Sequence, residues 1–227
     1  MNHQLRDQLE RYGQAEQDRI RSVLTQELDA LISMLLQTDT KEYRSWVYEL
    51  SGQVVDEDSG FPIRMPLFEK VIFPVVFAGF KQKAPNTARW LAGYNQLIYK
   101  SKKVRAELGA DFTEDYFLRK AIEHDPEDTL SKKKLISAIA YQLEYSIHEV
   151  PSGVLWGSNG ASLEECDELI LSLVEFKNIL LSFPHNEQYE QLVEECSFHF
   201  AEYKNYLINY DSHESYSAYL SSIGKNA

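Results

Sequence analysis

Two groups of residues have the types and spacing that acid–base or metal chemistry needs. The first is Glu144, His148 and Glu149. Residues four apart share a helix face, so the Glu144 carboxylate and the His148 imidazole can meet as a general-base pair or as metal ligands. The same residues also suit a solvated helix end, where an imidazole favours the negative terminus. The second group is Glu195, His199 and Glu202, placed at i, i+4 and i+7 on one side of a later helix. Metal sites in helical bundles do use inward Glu and His, but through Glu-x-x-His repeated across helices. Here the spacing is Glu-x-x-x-His, and no H-E-x-x-H occurs. A half-buried histidine between two acids is the plain alternative to a metal site.

Next to His148 lies a loop, EVPSGVLWGSNG, containing Pro151, Gly153, Trp156 and Asn159. It could be the mouth of an active site or only a joint. Ser162 and Glu165 follow with the S-x-x-E spacing of a capping box, so the loop's end starts a helix without any catalytic explanation. Val154, Leu155 and Trp156 exceed what a two-helix turn needs, and read as a plug into the core. No Walker loop, dinucleotide-binding glycine set or G-x-S-x-G elbow is present. The DEDSG at 56–60 lacks the remaining ligands of a calcium loop and reads as an acidic turn. Lysines 100, 102, 103 and 132–134 sit among acids, as on a mixed solvated surface.

The elements that must position these groups are helical. Ile20, Leu24, Leu28, Leu31 and Leu35 make one stripe, and Leu135, Ile139, Leu143 and Ile147 another. The run VIFPVVFAGF, 71–80, is apolar all round, as befits a central buried helix over 66–80; Pro74 predicts a kink in it. Its ten residues would span roughly 15 Å, about half a bilayer core, so it is no membrane span. Thr113 can cap one helix, and Asp125-Pro126 reads as the start of the next. A last helix carries Leu192, Val193, Cys196, Phe200, Tyr203 and Leu207 on one face, and the tail from Ser215 is expected to fray or dock lightly.

Composition excludes several classes. The 227 residues are 44% apolar with a net charge of −12, and from Ala161 onward twelve acids face three bases. Such a surface repels phosphate backbones and argues against nucleic acid, while favouring a basic partner. The two cysteines, Cys166 and Cys196, form no C-x-x-C pair and read as buried thiols. A charged start without an apolar signal core leads to the expectation of a cytoplasmic location.

Residues 86–126 resemble a tetratricopeptide unit. Trp90, Gly93 and Tyr94 match its first helix, and the A-I-x-x-D-P ending matches its second. The interval from Pro85 to Pro126 is longer than the usual repeat, and no second copy follows. The resemblance implies stacked helical hairpins and a groove that binds proteins or peptides. The chain is also similar to uncharacterised all-helical bacterial proteins, a likeness that supplies no activity.

These readings together predict an all-α fold of antiparallel helical hairpins, as a tetratricopeptide-like solenoid or an irregular bundle around the 66–80 helix. They fit one domain over 1–227, or halves 1–110 and 111–227 sharing a core. The expected function is a non-enzymatic cytoplasmic protein-interaction module, of the acidic inhibitor or immunity type, with no cofactor, nucleic acid or membrane. The rival is a metal-assisted hydrolase built on the His/Glu clusters. A homodimer through Tyr141 and Tyr145, or Tyr206 and Tyr210, is a third arrangement.

Overall fold

The computed structural model describes residues 3–109, 112–150, 162–183, 186–209 and 212–225. All its regular elements are helical, with no strand among the described residues. The chain divides into two compact units, Met1–Ser131 and Lys132–Ala227.

The first unit opens with α1 (His3–Asp18), α2 (Arg21–Gln37) and α3 (Thr40–Val55). α1 lies along α2, burying Leu5, Tyr12 and Ala15 on one side and Leu24, Leu28, Leu31 and Leu35 on the other. Ile20, expected in that stripe, is instead 54% exposed. It stands one residue before the first helical turn with extended backbone, so it leaves the face its spacing suggested.

A helical run follows, made of α4 (Met65–Leu67), a π turn (Phe68–Ile72) and α5 (Phe73–Lys81). Leu67, Phe68, Val71, Ile72, Phe73, Val75, Val76 and Phe77 are all buried, but Lys70, Pro74 and Ala78, four apart, are exposed, so the helix is covered on most sides and not all round. Pro74 has no N–H, and its ring would press on the carbonyl four residues back. The chain meets this with a wide turn: the Phe73 N–H bonds the Phe68 carbonyl, five residues earlier. The irregularity expected at Pro74 therefore falls in the turn just ahead of it. At Gly79 the chains approach closely, because an added Cβ would collide with the Tyr48 hydroxyl of α3 and lie 2.9 Å from the Thr87 methyl.

The segment likened to a tetratricopeptide unit contains α6 (Thr87–Gly93), α7 (Asn95–Lys100), α8 (Lys102–Leu108) and α9 (Glu114–His124). α6 packs against α9, burying Ala88, Leu91 and Ala92 with Phe117, Leu118 and Ala121. The first half is broken at Ser101, whose extended backbone ends α7 and whose hydroxyl accepts from Val104 N–H to start α8. Thr113 caps α9 by accepting from the Tyr116 N–H at 3.2 Å, as its position predicts.

A buried polar network ties α3, α6 and the start of α10 (Thr129–Glu149) together. Arg89, only 7% exposed, grips Asp56 with Nε at 2.8 Å and Nη2 at 3.0 Å, and reaches Asp128 with Nη1. The Trp90 indole N–H also donates to Asp56, at 2.9 Å. Asp128 accepts from the Ser131 N–H at 3.0 Å and the Ser131 hydroxyl at 2.7 Å. Asp128 is therefore the residue that caps α10. The start expected at Asp125-Pro126 lies three residues too early: Asp125 forms only a local turn, accepting from the Glu127 N–H at 3.0 Å.

The division between units falls within α10, and the rest of the second unit is a helical hairpin with a terminal brace. α11 (Leu163–Leu181) packs on α12 (Glu190–Ile208), and α12 on α13 (Tyr216–Ser222). The capping box at the start of α11 is formed in full: Glu165 N–H donates to the Ser162 hydroxyl, and Glu165 Oε2 accepts from Ser162 N–H at 2.8 Å. Cys166, Leu169, Leu173, Phe176 and Leu180 of α11 face the core with Cys196, Phe200 and Tyr203 of α12. Both thiols are buried, and burial pushes Cys166 up to about 11 and Cys196 up to about 12.

Candidate functional site

The chemistry-bearing residues of the second unit fall on three surfaces. On α10, His148 is 84% exposed at its side chain and touches Glu149, Nδ1 to Oε1 at 3.3 Å. Glu144 is exposed as well, on the side opposite the buried Leu135, Ile139 and Leu143. His148 thus faces water, and its contact is with the neighbouring acid. Pro151, Gly153, Trp156 and Asn159 lie outside the described residues.

On α12, Glu195, His199 and Glu202 each have a partner that requires no ion. Glu195 accepts from the Gln191 amide at 2.7 Å. His199 Nδ1 and the Tyr216 hydroxyl are 3.0 Å apart, and Glu202 accepts from the Tyr219 hydroxyl at 2.7 Å. No three His, Cys, Asp or Glu side chains converge to hold a metal among the described residues.

These contacts, with edge-on and tilted tyrosine rings, dock the terminal helix. Tyr216 lies 4.9 Å from Tyr203 and 5.7 Å from Tyr206, ring centre to ring centre, and Tyr216, Tyr219 and Leu220 are buried. The tail expected to fray or dock lightly docks through α13, with its three buried side chains in the core. Tyr206, expected to be exposed, is 5% exposed for the same reason. Burial pushes the Tyr216 phenol up, reinforced by the Glu202 charge. It pulls His199 below its ordinary value, partly opposed by Glu195.

The third surface is the outer face of α11. Glu164, Glu168, Leu171, Val174, Asn178 and Leu181 follow one another at three- and four-residue steps with Asp167 beside them, and all are exposed. Leu171 is 68%, Val174 50% and Leu181 84% exposed. The stripe is acidic in its first half and apolar in its second, and at 1.5 Å per residue runs about 26 Å. The hairpin's two lysines are engaged internally, Lys204 on Asp167 and Lys177 on the Ser197 hydroxyl at 2.8 Å. Glu164 and Glu168 have no cation partner among the described residues.

The sequence reading located the acidic charge in this region but missed the stripe. LEECDELILSLVEFKNILL holds more apolar residues than one buried face can use, and that excess was the available signal. The second apolar set, Leu171, Val174 and Leu181, lies outside the buried face of Leu169, Leu173 and Leu180, with Leu171 opposite it and Leu181 on its flank. No family model, curated protein or solved structure matches the chain.

Proposed function

We propose that the protein is a non-enzymatic protein-interaction module whose partner surface is the outer face of α11. One observation carries this reading: the unpaired Glu164 and Glu168 and large exposed apolar side chains share the outer face of one helix. Acids alone would be an ordinary solvated surface, and isolated exposed leucines need no explanation. Together they suit a partner segment with basic residues at one end and apolar residues at the other, laid along the helix. An acidic inhibitor of a basic protein is the specific role this chemistry favours. The α12–α13 docking supports the reading from below, because it braces the hairpin that presents the face.

The test compares proteins captured from cell extract by the wild-type chain with those captured by two face variants. These are Glu164→Lys with Glu168→Lys, and Leu171→Ser with Val174→Ser. All four positions are exposed, so the folds should persist. A common partner should be lost from both variants, kept by a Glu187→Lys/Glu190→Lys control, and released at about 1 M NaCl, where the screening length is about 3 Å. Capture unchanged by both face variants would remove α11 as the surface.

A further inference from the structure

In the first unit, the groove between the end of α1, the start of α2 and residues 60–64 has a charge opposite to that of the chain as a whole. Its volume is about 1070 Å³, and its lining includes Arg19, Arg21, Arg64, Gln17, Phe61 and a single acid, Glu16. That acid is already satisfied. Its side chain is 5% exposed and accepts from Arg64 Nε and Nη2 at 2.7 Å each and from the Tyr12 hydroxyl at 2.8 Å. Arg64 therefore cancels Glu16, and the groove keeps the charges of Arg19 and Arg21.

Both of these arginines are exposed, and neither has an acid within ion-pair distance among the described residues. The first turn of α2 contains no acid, and Asp18, beside Arg19, accepts instead from the Gln14 amide at 2.8 Å. Arg19 also sits in left-handed backbone, φ 57°, a conformation that Gly or Asn adopts at less cost. The lining also includes the apolar Phe61 and Pro62. Phe61 meets Tyr12 edge-on at 6.2 Å, beside Pro62.

Two unpaired guanidinium forks in a groove also lined by Phe61 and Pro62 define a ligand class, because the fork matches the paired oxygens of phosphate or carboxylate. The volume slightly exceeds the roughly 300–1,000 Å³ usual for small-molecule sites, as suits an open groove. We infer that this groove binds a small organic dianion, its charged group held by Arg19 and Arg21 and its apolar part against Phe61 and Pro62. The site is separate from the α11 face, whose acids would repel such a ligand.

Isothermal titration of the full chain at low ionic strength tests this with phenyl phosphate, phthalate and inorganic phosphate. Saturable binding of phenyl phosphate identifies a phosphoryl ligand, and of phthalate a dicarboxylate; either supports the site. Arg19→Gln/Arg21→Gln should weaken it by about tenfold or more, the effect of losing a charge-assisted contact, with the melting temperature unchanged. Lys103→Gln should leave it unaltered. Absence of saturable binding to both aromatic probes, or equal binding by the double variant, overturns the inference. Inorganic phosphate binding as tightly as phenyl phosphate overturns the role given to Phe61 and Pro62.

Discussion

Asp128 joins two structural tasks in one carboxylate: it completes the cage around Arg89 and caps α10 through Ser131. Replacing it with alanine leaves Arg89 with only Asp56 in a nearly dry site. Urea unfolding of Asp128→Ala should show a loss of about 3–5 kcal/mol, and Asp128→Asn, which keeps a capping oxygen, a smaller one. Burial alone would raise this carboxyl, but the Ser131 N–H and hydroxyl, followed by Arg89, outweigh it and hold the group below its usual range. A carboxyl depressed in the folded state stabilises above its unfolded value, and that stability is lost as pH falls through the folded one. Wild-type stability should therefore decline below about pH 4, with a flatter decline in Asp128→Asn. His199 has the same sign for a different reason: burial favours its neutral form. Its contribution is present above the ordinary histidine value and is lost as pH falls through the lowered one. Between pH 7 and 5 the near-ultraviolet tyrosine signal should weaken in the wild type and hold steady in His199→Gln.

At the scale of elements, the close crossing at Gly79 decides how α3, α5 and α6 meet. An alanine there would drive a methyl into Tyr48 and Thr87. Gly79→Ala should destabilise by about 1–3 kcal/mol, as overpacking does, measured by thermal unfolding. Nothing in FAGFK signals that crossing, since the neighbours come from positions 48 and 87. The same distinction separates what was legible from what was not. The Thr113 cap, the Ser162–Glu165 box and the outward side of α10 depend on residues three or four apart, so local spacing reveals them. The Asp128–Ser131 cap is also local, but the tie of Asp128 to Arg89 joins positions 39 residues apart, which spacing does not reveal. The docking of α13 rests on His199–Tyr216 and Glu202–Tyr219, each 17 residues apart. The candidate site was half legible: the acids stand out in composition, whereas the apolar half of the α11 face requires knowing which side is buried.

For the whole molecule, charge is unevenly shared. Of the net −12, the second unit holds fourteen acids against six bases. A field of this sign draws in basic partners from a distance and slows the approach of acidic ones. Association with the α11 partner should therefore slow by about tenfold or more between low salt and 0.5 M NaCl, with a weaker effect on dissociation, in stopped-flow measurements. The buried thiols of α11 and α12 give the second unit a built-in clock. Only the thiolate reacts with alkylating reagents, and both groups are shielded and held protonated. Labelling of Cys166 and Cys196 must wait for the hairpin to part. Its rate thus counts those openings directly, and occupancy of the outer face of α11 can be read as a slower tick.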